Sequence, residues 1–293
     1  MSASEWSTGQ KGDHAVLLLH GLSSSPLELR FLARFLGDEG FVTHAPELAG
    51  YSAGTGHQPM EQWISAAVAQ FDELAAQYRH VSVCGLSMGA TLAAAVAHRR
   101  PAARALLLLS ITLSYDGWAI PWYLFMFDYL YYTPLRSRYR YREHEPYGLR
   151  NEALRSKIAR AMQKNEISEV GPASIAMPAL HEARRLAASM RKKLKGITTD
   201  CLIIHAIDDE TSSPHNARFV ESNVGVSFLR TIWLDDSYHM ITSDNEREVV
   251  ARECALFLRE SEATAEAGNN PTPVVSRALA RRLRQLATVA GKP

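Results

Sequence analysis

Little in this sequence commits it to a charged partner, a membrane or a disulfide framework. Its 32 Lys and Arg nearly balance 31 Asp and Glu, and a formal net charge of +1 supplies no whole-molecule field to gather nucleic acid or an acidic partner. Cysteine is scarce. Cys84, Cys201 and Cys254 are the three in 293 residues, and their spacing suits neither metal ligation nor pairing, which favours buried free thiols in a reducing compartment. Long apolar runs are missing as well: the stretch Trp118 to Phe127 is too short to span a bilayer and is followed at once by Asp128. Met1 to Gly12 lacks the apolar segment of a secretory signal, so the cytoplasm is the expected location. The pairs His144-Glu145 and His181-Glu182 lack the second histidine of a zinc-binding His-Glu-x-x-His, which disfavours metal-assisted hydrolysis.

What is present centres on Val81 to Ala97. The apolar run Val81-Ser82-Val83-Cys84 enters Gly85-Leu86-Ser87-Met88-Gly89, and the helix-forming Thr91 to Ala97 follows. The pattern reads strand, sharp turn, helix. Such a turn puts Ser87 in a strained backbone conformation, tolerated because glycines two residues to either side leave it room. The serine hydroxyl is then held clear of the sheet, and free N–H groups at the helix start aim at any oxyanion forming beside it.

The rest of the chain alternates strand and helix around that turn. Ala15 to Leu19 is an apolar run of the kind covered on both faces in a parallel sheet, and it ends in His20-Gly21-Leu22. Ser25-Pro26-Leu27-Glu28 has capping-box spacing and predicts a helix to about Gly37. Phe41 to Ala45 reads as a strand, Pro46 to Pro59 as a long loop, Met60 to Tyr78 as a helix and Ala105 to Leu109 as a strand. After an interruption the alternation resumes with a strand at Cys201 to His205, a helix from about Pro214 to Ser222 and a strand at Phe228 to Leu234. A last helix is expected with Ser243 and Glu246 at capping-box spacing. Alternation of this type builds a mostly parallel sheet with helices on both faces and its site beyond the carboxyl ends of the strands.

The interruption, about residues 110–195, is aromatic at first, alternates Arg with Tyr over Arg136 to Arg142, and ends helical and basic. It reads as a lid with a small core of its own, offering an apolar wall to an acyl group; at neutral net charge the Arg/Tyr stretch is not a nucleic-acid strip. The domain division expected is an N-terminal extension over 1–14, a main domain over 15–260 and a tail over 261–293. That tail holds the linker Gly268 to Pro273 and a basic amphipathic segment, Val275 to Val289. Packing on the domain, peripheral membrane contact and disorder all remain open for this segment, and the lid is a second candidate for membrane contact.

A serine hydroxyl needs a base within hydrogen-bond reach, itself oriented by a third group. Past the Cys201 strand stand three carboxylates, Asp208, Asp209 and Glu210, and past the last strand stands His239. The chain order is serine, acid, histidine. On these residues the sequence resembles the serine α/β-hydrolases, in particular small bacterial carboxylesterases and monoacylglycerol-lipase-like enzymes, over roughly Ala15 to Leu258. The resemblance implies an α/β-hydrolase fold of about six mostly parallel strands with an inserted lid. In the family the acid stands three residues after the glycine of His-Gly-x-x-Asp, which assigns Asp209 here, with Ala206 in the glycine's place and Asp208 the near miss.

By the same resemblance the oxyanion N–H groups are those of Leu22 and Met88, and His20 is structural. Two departures stand out: Tyr238 precedes His239 where the family has glycine, and Pro46 to Ser52 replaces the family's Gly-His-Gly. The implied chemistry is hydrolysis of a small acyl ester through an acyl-enzyme on Ser87, with His239 as base, Asp209 orienting it, and no metal or organic cofactor. Thioesterase, carbon–carbon bond hydrolase and acyltransferase chemistry can use the same residues, and a non-catalytic binding protein is the alternative from another class.

Overall fold

A computed structural model describes residues 6–8, 12–121, 123, 126, 131–142, 144–163 and 174–267. In chain order its elements are β1 (Trp6–Thr8), β2 (His14–Leu19), α1 (Arg30–Asp38), β3 (Val42–Ala45), α2 (Met60–Ala75), β4 (His80–Leu86), α3 (Met88–Arg99) and β5 (Leu106–Leu109). Then come β6 (Arg140–Arg142), α4 (Glu152–Gln163), β7 (Ser174–Ala176), α5 (Met177–Lys193), β8 (Cys201–Ala206), α6 (His215–Asn223), β9 (Leu229–Leu234) and α7 (Arg247–Ala267). The main sheet runs β1-β3-β2-β4-β5-β8-β9, and every pair in it is parallel except β1 with β3.

Six strands are therefore parallel, as the alternation predicts. The seventh, β1, lies within the expected N-terminal extension and pairs antiparallel with the β3 edge, Trp6 opposite Ala45. Three residues are too few to carry a periodicity; what recruits them is the row of unpaired backbone groups along that edge.

Successive residues of the strands feed two cores. Leu17, Val83, Leu106 and Ile203 face Trp63 and Phe71 of α2 and the nearly wholly buried α3. Leu18, Cys84, Leu107 and Ile204 face Leu32 and Leu36 of α1 and Phe257 and Leu258 of α7. Each such side chain, fully buried, contributes about 1.5–3 kcal/mol. The three cysteines are free and buried.

The insertion joins these cores, and no separate core of its own is seen among the described residues. Leu149 and Ile158 pack into the α1/α7 side, whereas Ile175, Leu180, Leu186 and Met190 pack into the α2/α3 side. Its basic end, α5, is thus a core helix whose lysines and arginines lie on the face away from Leu186 and Met190. Two expected capping boxes are replaced by tertiary bonds. Ser25 makes no capping bond, and the Glu28 carboxylate instead accepts the Gly21 N–H at 2.7 Å. Glu246 directly precedes the first residue of α7, and its carboxylate accepts the Asp236 N–H at 2.9 Å and the Ser237 hydroxyl at 2.8 Å. The Gly268 to Pro273 linker and the Val275 to Val289 segment lie outside the described residues.

Candidate active site

Ser87 joins β4 to α3 at φ 58° and ψ −122°, a region non-glycine residues enter only under constraint, at about 1–3 kcal/mol. The flanking glycines make this possible by letting backbones touch. A Cβ on Gly85 would stand 2.1 Å from the Gly89 carbonyl oxygen, and one on Gly89 would stand 2.2 Å from that of Leu19 and 2.3 Å from that of His20. The turn is thus wedged between β4 and the end of β2.

Two other strand ends converge on it. Asp209 and Glu210 follow β8, and His239 follows β9. The Ser87 hydroxyl lies 2.8 Å from His239 Nε2, and His239 Nδ1 lies 2.8 Å from Asp209 Oδ2 and 3.0 Å from Oδ1. Asp209 Oδ1 also accepts the N–H groups of Thr211 at 2.9 Å and Ser212 at 2.7 Å. Burial alone would raise the Asp209 carboxyl, but the adjacent His239 imidazole, then His205 and the Ser212 N–H, hold it below the usual carboxylate range. His205 shapes the same turn: its Nε2 donates to the Ser212 carbonyl at 2.8 Å, and burial lowers the imidazole toward its neutral form.

Asp208, one residue earlier, points elsewhere. Its carboxylate is exposed and paired with Arg150 at 3.1 Å, and its carbonyl accepts the Trp118 indole N–H at 3.2 Å. Arg150 also reaches Asp236 at 3.3 Å and lies over the Tyr238 ring, 5.5 Å from its centroid. The bulky residue before His239 thus sits between Arg150, which lies over its ring face, and Trp118, which meets it edge to face with ring centroids 5.8 Å apart.

Several neighbours of Ser87, His239 and Asp209 carry no sequence signal in their spacing. Glu210 Oε2 accepts the His239 backbone N–H at 3.0 Å; burial first, then the Asp209 carboxylate, raises its carboxyl. The Ser110 hydroxyl donates to the His239 carbonyl at 2.7 Å, and the Thr112 hydroxyl lies 3.3 Å from that of Ser87. Glu210 alone could have been flagged, as the third carboxylate of its run. Among the described residues the N–H groups of Leu22 and Met88 donate to no protein acceptor, although both side chains are buried.

The insertion approaches from above the strand ends. Tyr141, Ile175 and Leu180 share a cavity of about 50 Å³ with Tyr115, Glu210 and Thr211. A larger cavity of about 470 Å³ lies between α5 and the segment leaving β5, lined by Leu113, Tyr115, Asp116, Ile120, Arg184 and Arg191. Among the described residues no three His, Cys, Asp or Glu side chains are arranged to hold a metal ion, and no helix is long and apolar enough to cross a membrane.

A family model described as serine aminopeptidase, S33, matches residues 10–246. The chain is 24% identical over 260 residues to a carboxylesterase of Bacillus subtilis (strain 168), with 86% of this chain and 95% of the relative covered. It is 22% identical over 270 residues to a thermostable monoacylglycerol lipase of Bacillus sp. (strain H-257), with 88% and 95% covered. A solved metagenome-derived lipolytic enzyme superposes with a TM-score of 0.74 at 21% identity, covering 88% of this chain and 98% of its own.

Proposed function

The chain belongs to the serine aminopeptidase S33 family, and from that premise we propose that it is a serine hydrolase cleaving small carboxylic esters through an acyl-enzyme on Ser87. The observation carrying this reading is the continuous chain from Ser87 Oγ to His239 Nε2 and from His239 Nδ1 to Asp209, at 2.8 Å in each link, on a strained turn at the strand ends. His239 takes the Ser87 proton as Oγ attacks the ester carbonyl, and the N–H groups of Leu22 and Met88 receive the oxyanion. His239 then returns the proton to the departing alcohol. Water activated by the same imidazole releases the acid, while Asp209 holds the imidazole in one tautomer and stabilises its cation. No step needs a metal or organic cofactor.

Ester rather than peptide or thioester substrates are favoured by the carboxylesterase and monoacylglycerol lipase among the relatives. Residues 110–195 act as a lid over the acyl group in this reading, supported by Tyr141, Ile175 and Leu180 facing Glu210 and Thr211. The exposed Trp118, Tyr123, Met126 and Tyr132 support contact of that lid with an apolar substrate surface or membrane. Three free, buried thiols support a cytoplasmic location.

The test is hydrolysis of a p-nitrophenyl ester series from acetate to palmitate by wild type and Ser87→Ala, beside labelling with a fluorophosphonate. Activity should peak at one acyl length and fall roughly ten-thousand-fold or more in the variant, which should also escape labelling. Labelling of Ser87 without ester turnover would move the reading to thioesters, carbon–carbon substrates or aminoacyl amides. No labelling at all would make the protein a binding module.

A further inference from the structure

The peptide units around Gly21 are held from every side by buried groups that the ester-cleaving reading leaves without a role. The unit joining His20 to Gly21 is gripped at both ends: its carbonyl accepts the Tyr51 hydroxyl at 2.8 Å, and its N–H donates to the Glu28 carboxylate at 2.7 Å. The next unit joins Gly21 to Leu22. Its carbonyl accepts His20 Nδ1–H at 2.7 Å, and its N–H is that of Leu22, the group assigned to the oxyanion. In a trans peptide the C=O and N–H point opposite ways, so fixing this carbonyl fixes where the Leu22 N–H points. His20 is fixed in turn, since its Nε2 accepts the Ser52 hydroxyl at 2.7 Å, and burial holds its imidazole neutral by lowering it to about 4. Tyr51 and Ser52 both belong to the loop that stands where the resembling family has Gly-His-Gly. That loop is braced by the Trp63 indole N–H donating to the Gly50 carbonyl at 2.8 Å.

We propose that Glu28, His20 and Tyr51 are positioning residues for the reaction, clamping the two peptide units of the 20–22 turn so that the Leu22 N–H is preset toward the oxyanion. The proposal rests on the serine-hydrolase reading, because Leu22 has a task only if an oxyanion forms beside Ser87. It explains why a carboxylate is kept 4% exposed beneath a glycine turn, where a side chain on Gly21 would come within 3.0 Å of it. A preset donor strengthens binding of the transition state and not of the ground state, so the clamp acts on kcat and leaves KM nearly unchanged.

The Glu28 carboxyl has a second consequence. Burial raises it to about 7, against the opposing pull of the Ser24 hydroxyl, the Gly21 N–H and the His239 imidazole, so it changes charge in the working range. The titratable groups facing it are His239 from the loop after β9 and Tyr51 from the loop after β3; burial first, then the Glu28 charge, raises the Tyr51 phenol far above its usual range, so it stays a donor. When Glu28 is protonated the Gly21 N–H loses its anionic acceptor, and the imidazolium formed on His239 loses a nearby negative charge. Both effects slow the reaction on the acid side.

The experiment compares wild type, Glu28→Gln and Tyr51→Phe in p-nitrophenyl butyrate turnover from pH 5.5 to 9. Binding of an alkyl trifluoromethyl ketone, which forms a tetrahedral oxyanion adduct on the serine, is measured alongside. Each variant should lose roughly tenfold or more in kcat with KM within about twofold, and ketone affinity should fall by a factor like that in kcat. In Glu28→Gln the acid limb of kcat should also move to lower pH. A merely structural Glu28 would scale the profile without moving it. Unchanged kcat and ketone affinity in both variants would overturn the proposal, and Tyr51→Phe decides alone if Glu28→Gln does not fold. Absence of Ser87-dependent turnover in wild type would instead remove the ester reading, an outcome distinct from active variants without a clamp effect.

Discussion

Asp208 and Asp209 are adjacent and chemically identical, yet the fold gives them opposite surroundings. Asp209 is 2% exposed and accepts from His239 and two backbone N–H groups, whereas Asp208 lies at the surface in an ion pair with Arg150. Asn at position 209 would no longer impose the tautomer or stabilise the imidazolium, and Asp209→Asn should lower kcat roughly ten-thousand-fold. Asp208→Asn removes only a surface ion pair screened by solvent and should leave kcat within about fivefold. Steady-state kinetics on one ester compares the two; equal sensitivity, or the reverse order, would refute the assignment. The candidates were legible in the sequence because a strand end followed by acids, and a later strand end followed by histidine, is a local pattern. The choice between neighbours needed a family alignment, and the reason for the choice is tertiary: one side chain faces the β9 loop and the other faces water.

At the scale of elements, the β4–turn–α3 unit was readable because every requirement of the turn is written within five residues. Its tolerance to change is set by contacts the five residues do not reveal. Gly89→Ala would drive a Cβ into the Leu19 and His20 carbonyls, at 2.2 and 2.3 Å, and these are backbone atoms that cannot swing aside. The substitution should cost roughly 4 kcal/mol or more, or prevent folding. Gly54→Ala, at φ +75° with nothing within 4 Å of the added carbon, should cost only about 1–2 kcal/mol from the left-handed conformation. Urea unfolding midpoints of the two variants test this contrast. The capping boxes at Ser25 and Ser243 show the opposite situation, where local grammar was present and was outcompeted. Glu28 and Glu246 each found backbone donors at Gly21 and Asp236, on the turns that lead into the site.

For the whole molecule, buried ionisable groups decide how stability depends on pH. His14, at the foot of the sheet, donates Nδ1–H to Glu262 and accepts the Ser82 hydroxyl; burial, then His80 and Arg104, lowers it to about 3. His20 is lowered to about 4 by burial. For bases depressed in the folded state the stability is complete above about pH 6.5 and is lost as pH falls, on the order of 6 kcal/mol for the two together by pH 4. Glu28 has the opposite sign, since its raised carboxyl costs stability above pH 7 and returns roughly 3 kcal/mol as pH falls to 4.5. The melting temperature should therefore drop between pH 7 and 4, more steeply in Glu28→Gln and less steeply in His14→Gln. A flat profile in all three would contradict the burial of these groups.

The alternation of the main strands and helices, the parallel sheet and the nomination of Ser87 and His239 as candidates came from the sequence alone, because strand periodicity, turn glycines and chain order act over a few residues. The β1 edge strand, the absorption of the insertion into both existing cores, the partners of Glu28 and Glu246, and the clamp of Tyr51, His20 and Glu28 on the 20–22 turn were decided only by the tertiary structure. The edge strand and the polar contacts depend on which distant backbone donor or acceptor lies within about 3 Å once the sheet has closed, the insertion's packing depends on which apolar faces it meets there, and spacing along the chain records neither.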